Sequence, residues 1–268
     1  MPSAAYEGDG MDHISDLSDD LLLHILRFLS DDARDVVCTT VLSTRWRSLW
    51  TRAPVLRIGN WKSRGHHANL DDPRFSDFVH NMLTRRANGG AEADIDMLEL
   101  CAYPWPGKWR AEVWFGLAMQ LTVMSLAFRL SNPQFMMSTD LGPRHSLPNS
   151  TRVTTLSLDL EYGTLLLPPA VQFLELTELT LSTICFSDDD GPRLGHPALV
   201  LVVLPDAAET DALEPAGLHD LRLHGLALET LHLGSLEDVR RLDVDAPRLS
   251  ALSVESYFMF VSTNLDLV

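Results

Sequence analysis

Motifs that carry bond chemistry are absent from this sequence. It has no G-x-S-x-G elbow, no phosphate-cradling P-loop, no G-x-G-x-x-G turn and no H-E-x-x-H helix. Carboxylates are scattered along the chain, and none stands in a pattern that separates it from ordinary surface charge. Cysteine is scarce: Cys38, Cys101 and Cys185 are odd in number and far apart. That spacing excludes a CxxC zinc site and argues against a disulfide framework, so a reducing compartment is the simplest setting. No run of about eighteen apolar residues occurs, which is the length a spanning helix needs. The N-terminal residues are acidic (Glu7, Asp9, Asp12) and lack a basic-then-apolar leader pattern. Without such a leader, Asn149-Ser150-Thr151 reads as a chance match to the glycosylation pattern. Basic residues number 21 against 37 acidic ones, a net charge of -16. A chain of that sign is a poor binder of nucleic acid or anionic membrane, because both are polyanions.

What the chain does contain is apolar patterning. Hydrophobic residues make up 46% of 268, enough for a large core in one or two domains and too many for wholesale disorder. The organising stretch is Asp12 to Trp50. Apolar residues recur at Leu17, Leu21, Leu22, Ile25, Leu26 and Leu29, a broad stripe at helical spacing. Ser18 is placed to cap that helix, with Asp19 and Asp20 in the first turn, where the helix dipole favours negative charge. Ser30, Asp31 and Asp32 start a second helical pattern through Ala33, Val36, Val37, Thr40 and Val41. A third block, Thr44 to Trp50, sets Trp46, Leu49 and Trp50 beside Arg45 and Arg47. About forty residues are too few to bury so many large apolar side chains alone. Part of the stripe must face the rest of the chain or another protein. Pattern alone leaves two readings: a three-helix cap on a larger domain, or a partner-binding module.

The identities of these residues resemble an F-box. Leu17, Asp19, Leu21, Leu22, Ile25, Leu26 and Leu29 fall where that family places its first apolar helix. Asp32-Ala33-Arg34-Asp35-Val36-Val37 looks like its middle segment. Val41-Leu42-Ser43-Thr44-Arg45-Trp46-Arg47-Ser48-Leu49-Trp50 matches the plant-type ending VLS-x-RW-x-x-LW at every specified position. One position departs: Ser18 stands where the family usually has a proline that helps to shape the adaptor contact. The resemblance implies docking onto the Skp-type adaptor of a cullin-based ubiquitin ligase. It makes Leu17, Leu21, Leu22, Ile25, Leu26, Leu42, Trp46, Leu49 and Trp50 the adaptor face and its support. Sequence does not sort the outward members from the inward ones. Trp46 and Trp50, four apart, are placed to staple the module internally.

Further along, residues 1–11 read as a disordered tail, 12–52 as the helical module and 53–72 as a linker. Within the linker Val55 to Ile58 has strand character, and His66-His67 lacks partners at metal-ligand spacing. Asp72-Pro73 opens a helix with Phe75, Phe78, Val79, Met82 and Leu83 on its apolar face, ended by Asn88-Gly89-Gly90. Arg85 and Arg86 fall in its last turn, where a dipole and solubility role is expected. A strand over Ile95 to Leu100, a turn carrying Trp105, a helix over Trp109 to Gln120 and a strand over Val123 to Leu130 follow. A helix between two strands points to a parallel crossover. Asn132 to Ser150 reads as a long surface loop, with Phe135-Met136-Met137 anchoring it to the core.

From Val153 the chain repeats itself. The form apolar-x-x-Leu-x-apolar recurs at 153–158, 176–181, 218–223, 228–233, 239–244 and 249–254. The central leucines Leu221, Leu231, Leu242 and Leu252 give alternate spacings of 21 (242 − 221 and 252 − 231), while Leu156 to Leu179 is 23. This is the signature of leucine-rich repeats, in which each coil buries its leucines only by stacking on the next. Each coil is expected to hold two extended segments. The array resembles the irregular repeats of plant F-box proteins, the element Asp245-Ala246-Pro247-Arg248-Leu249 included. The alternative is a leucine-rich α/β domain without a solenoid. Ala198 to Leu204 is a buried-strand candidate between two acidic loops. The oxygen ligands of Ser187 to Pro192 lack the following glutamate of a calcium loop. His219, His224 and His232 are expected to be exposed and non-catalytic. The last repeat ends near Val268 without a polar capping coil, so the 73–268 domain reads as short or truncated.

The fold expected is therefore α/β: an N-terminal three-helix F-box followed by an irregular solenoid of short parallel strands. The function expected is that of a substrate receptor, not an enzyme, with no cofactor or metal. Its partners would be the adaptor, through it a cullin, and a target protein held by the repeats. Nucleic acid and membrane are not expected partners, and the location would be cytoplasmic and/or nuclear. The competing reading is a leucine-rich interaction protein with a weakened or vestigial F-box. A hydrolase or metal enzyme comes third.

Overall fold

The computed structural model describes residues 14, 16–29, 32–59, 73–90, 94–103, 106–131, 143–148, 152–166, 173, 175–187, 200–205, 218–237, 241–255 and 260–264. The tail 1–11, His66-His67, Trp105, Phe135-Met136-Met137 and the acidic stretches 188–192 and 207–217 lie outside them.

Helix α1 spans Asp19–Phe28 and starts where a cap is available. The Ser18 side chain accepts from the Leu21 amide at 3.4 Å, one of the amides a helix start leaves without a partner. Helix α2, Ala33–Cys38, is capped in the same way by Asp32, which accepts from the Arg34 amide at 2.9 Å. A 3₁₀ turn over Thr39–Val41, helix α3 over Trp46–Leu49 and a 3₁₀ turn over Trp50–Arg52 complete this part. Trp46 and Trp50 are both buried, in one core with Leu22, Leu26, Val36 and Leu49.

Strand β1, Val55–Gly59, follows directly. It lies inside the 53–72 stretch, at the position already marked by its strand character. Helix α4 (Pro73–Ala87) connects β1 to β2 (Ile95–Ala102), and helix α5 (Lys108–Leu121) connects β2 to β3 (Thr122–Leu130). Both strand pairs are parallel, as helical crossovers require. Helix α5 packs on β3 through Phe115 and Phe128, whose ring centres are 5.3 Å apart, edge to face.

The remaining strands are β4 (Arg144–Ser146), β5 (Thr155–Leu166), β6 (Glu178–Ser187), β7 (Val200–Pro205), β8 (Leu218–His224), β9 (Thr230–Leu233), β10 (Leu236–Glu237), β11 (Arg241–Asp245), β12 (Ala251–Val254) and β13 (Phe260–Asn264). A parallel sheet runs in the order β1-β2-β3-β5-β6-β9-β12. Its register lines up one apolar residue per strand: Leu56, Leu98, Leu126, Leu156, Leu179, Leu231 and Leu252. A second row follows two residues on: Ile58, Leu100, Phe128, Leu158, Leu181, Leu233 and Val254. Period-two alternation puts both rows on the same face, and all their members up to β9 are buried. A second sheet, β13-β11-β8-β7, aligns Leu221 with Leu242 and Leu223 with Val244.

The repeat spacing now has a physical explanation. Leucines 10 or 11 residues apart enter different sheets, and those 21 apart pair in the same sheet, as Leu221 does with Leu242 and Leu231 with Leu252. The segment Ala246-Pro247-Arg248-Leu249 is the turn between β11 and β12, closed by the Leu249 amide on the Ala246 carbonyl at 3.0 Å. The turn one coil earlier is closed in the same way, by the Leu228 amide on the Gly225 carbonyl.

Four expectations need correction. Arg86 is buried rather than a solvated end charge, while Arg85 is exposed. The loop 132–150 contains strand β4, which pairs with β5 and buries His145. Strands β5 and β6 are not short: they hold 12 and 10 residues. They reach that length by bending at residues with left-handed backbone, Glu161 (φ 43°) and Thr183 (φ 48°), where the register between them shifts. The Glu161 amide donates to the Thr183 hydroxyl at 3.2 Å, and that hydroxyl donates to the Asp159 carboxylate. Finally, β7 runs antiparallel to β8, so the second sheet is mixed.

Candidate functional site: an exposed apolar face on the first helix

Helix α1 carries two apolar stripes. Leu22 and Leu26, one turn apart, are buried against Trp46, Leu49 and Trp50. Leu21, Ile25 and Phe28, at i, i+4 and i+7, share a different face and are exposed, Phe28 by 75%. His24 packs edge-on against Phe28, with ring centres 5.1 Å apart. Beyond α2, Val41 and Leu42 are exposed by 85% and 60%. Ile14 and Leu29 add to the set. These seven are more than half of the twelve exposed large hydrophobic residues among those described. Single exposed leucines are ordinary, whereas a concentration of them within 29 residues (14–42) makes this stretch the candidate interaction surface.

Asp19 links the start of α1 to the segments beside it. Its carboxylate accepts from Arg45 Nε at 2.8 Å and from Arg52 Nη1 at 3.1 Å. The hydrogen bond from Arg45, then that from Arg52, holds the Asp19 carboxyl below the usual carboxylate range. The start of α1 is thereby tied to the segment that follows Leu42 and to the 3₁₀ turn after α3.

The nine residues singled out from the sequence separate by exposure into three groups. Leu21, Ile25 and Leu42 are exposed; Leu22, Leu26, Trp46, Leu49 and Trp50 are buried; Leu17 is partly buried against the core. The second group supports the face from beneath. Ile14, Phe28, Leu29 and Val41 belong to the exposed set and were not singled out. The signal for Phe28 was present in the spacing from Leu21 through Ile25.

Ser18 also acquires a geometry. Its φ is -64°, the angle a proline ring would impose. The backbone thus takes the proline shape, and the hydroxyl adds a cap that proline lacks.

Among the described residues no group of three His, Cys, Asp or Glu side chains is placed to hold a metal ion, and no helix is long and apolar enough to cross a membrane. His224 Nδ1 lies 2.6 Å from Asp245 Oδ2, an exposed pair between neighbouring coils. Among the described residues, neither Cys38 nor Cys101 is in a disulfide.

Comparison with known proteins gives the following. The chain is similar to an F-box/FBD/LRR-repeat protein of Arabidopsis thaliana, 32% identical over 180 residues, which is 67% of this chain and 39% of the relative. It is similar to the meiotic F-box protein MOF of Oryza sativa subsp. japonica, 38% identical over 96 residues, 33% of this chain and 19% of the relative. A putative FBD-associated F-box protein of Arabidopsis thaliana is 47% identical over 73 residues, 27% of this chain and 16% of the relative. The chain thus spans well under half the length of these curated relatives. No protein-family model matches it, and no solved structure does.

Proposed function

This chain is a relative of the plant F-box proteins with leucine-rich repeats, the FBD-like family, and on that premise we propose that it is a substrate-receptor subunit of an SCF-type ubiquitin ligase. Helices α1 to α3 form the F-box, and the strands form an irregular leucine-rich solenoid. The exposed stripe of Leu21, Ile25 and Phe28, with Leu42, docks onto a Skp-type adaptor and through it onto a cullin. The outward faces of the strands hold a target protein. The chain performs no bond chemistry. It tethers the target near the ubiquitin-loaded enzyme and raises its effective concentration there. It works in the cytoplasm, the nucleus or both, without nucleic-acid or membrane partners.

The observation that carries this reading is the split of α1 into a buried stripe and an exposed apolar one. A helix that only capped the leucine-rich part would have no use for the second stripe. The competing reading, an interaction protein with a vestigial F-box, rests on Ser18 and on the short repeat array, and only the first is addressed by the geometry. The proline-like φ of that residue weakens the objection.

Assembly is the test. The full chain is co-expressed with a Skp-type adaptor and a cullin, and the products are separated by size exclusion. Co-elution of all three in a stoichiometric complex is expected. A well-folded chain that elutes apart from the adaptor would leave only the vestigial reading.

A further inference from the structure

The last turn of α4 holds two arginines with opposite surroundings. Arg85 is exposed, whereas Arg86 is 1% exposed. Its Nη2 donates to the Ala53 carbonyl at 3.0 Å and to the Asp94 carbonyl at 2.6 Å, and its Nη1 donates to the Trp50 carbonyl at 3.4 Å. Trp50 and Ala53 belong to the turn that closes the helical module, and Asp94 immediately precedes β2. One side chain on α4 therefore binds both the end of the module and the beginning of the sheet.

We propose that Arg86 is a positioning residue that fixes the direction in which the α1 face points relative to the strand sheet. A buried guanidinium is retained only where its donors are satisfied, and an apolar residue would fill the same volume at less desolvation cost. The planar fork directs its N–H groups along fixed lines, so three carbonyls bound at once define an orientation. Lysine, a point charge on a flexible stem, cannot reproduce it. The apolar core is continuous across this boundary, with Trp50, Ala53, Leu56 and Phe75 in one cluster, and apolar burial is not directional. Arg27 meets Asp96 at 3.2 Å with both side chains well exposed, and Arg34 stands over the Phe75 ring at 5.5 Å. The Arg27–Asp96 pair is exposed and contributes little, and Arg34 is itself exposed over the buried Phe75. Burial lowers the guanidinium pKa to about 10, which leaves it charged at neutral pH. The role of this orientation in presenting a target rests on the receptor reading above, since a tether raises effective concentration only where its geometry permits both contacts.

The test uses the full chain with spin labels at Cys38, which is exposed on α2, and at an exposed position before β6 through Glu175→Cys. Cys101→Ser and Cys185→Ser provide the background. The distance distribution between the labels is measured by pulsed electron resonance for the parent, Arg86→Lys and Arg86→Gln. A single narrow distribution is expected for the parent. A broadened or displaced one is expected for both variants, with circular dichroism and adaptor affinity preserved. An unchanged distribution in a folded variant overturns the proposal. Failure of both variants to fold also overturns it, because Arg86 would then be a stability residue. A parent that ignores the adaptor but shows the narrow distribution sinks the receptor reading and leaves the positioning role intact.

Discussion

Leu21 and Leu22 are neighbours in the chain and lie on different sides of α1: Leu21 is 51% exposed and Leu22 is fully buried. The two positions therefore answer differently to substitution. Leu22→Ala removes core volume and is expected to destabilise the fold by about 2–5 kcal/mol. Leu21→Asp, on the exposed stripe, is expected to change stability by no more than about 0.5 kcal/mol. Urea unfolding of the two variants, followed by tryptophan fluorescence, checks both values.

The Asp19 clamp gives a pH dependence of known sign. The folded pKa of Asp19 lies below its ordinary value because of Arg45 and Arg52. Its contribution is present above the unfolded carboxylate pKa and is lost as pH falls through the lowered folded value. Docking of α1 is therefore expected to loosen at the acid end of a titration, below about pH 4. Asp19→Asn should already show that loosening at neutral pH. Hydrogen exchange of the α1 amides distinguishes the two cases.

His145 should be a second acid-sensitive point. It is buried between Phe115 and Phe128, with ring centres 4.9 and 5.9 Å away. Neither ring nitrogen has a partner among the described residues. Burial depresses its pKa to about 4 from 6.5. The unfolded state thus takes up a proton in a range where the folded state does not, and stability falls between those two pH values as the solution is acidified. The loss is on the order of 3 kcal/mol. Thermal melts of the parent should show this decline, and His145→Leu should flatten it and raise the melting temperature. An equal slope in both proteins would refute the assignment.

Gly234 is required by close packing between coils. A Cβ there would collide with Ser182 Oγ and stand 3.2 Å from its Cβ, while the Gly234 amide donates to the Leu181 carbonyl at 2.8 Å. Gly234→Ala is expected to destabilise by about 1–3 kcal/mol. Adding Ser182→Gly removes the clash, so the double variant should lose less than the sum of the two single changes. Denaturation of the four proteins in a double-mutant cycle measures that coupling.

The parts of the fold legible in sequence were those where one residue type repeats at a fixed step. The leucines of β8 to β12 announced their own register, because residues 21 apart pair directly. Their division between two sheets was not legible, since strands 10 residues apart look alike whichever sheet they enter. Arg85 and Arg86 were indistinguishable as letters, yet a rotation of about 100° per residue turns one to solvent and the other inward. Strand β4 was hidden because Arg144 and Ser146 flank a histidine instead of a leucine. The α1 site was half legible. Its stripe was visible as a whole, but only packing on Trp46 and Trp50 decides that Leu22 and Leu26 face inward and that Leu21, Ile25 and Phe28 are left uncovered.

The central claim is that this uncovered stripe binds an adaptor. Calorimetric titration of the full chain with a purified Skp-type adaptor tests it most directly, in parallel with a Leu21→Asp, Ile25→Asp double variant whose fold is verified by circular dichroism. The account predicts saturable binding by the parent and at least a tenfold loss in the variant, about 1.4 kcal/mol or more. Equal affinity in the two proteins, or no binding by the folded parent, would contradict it.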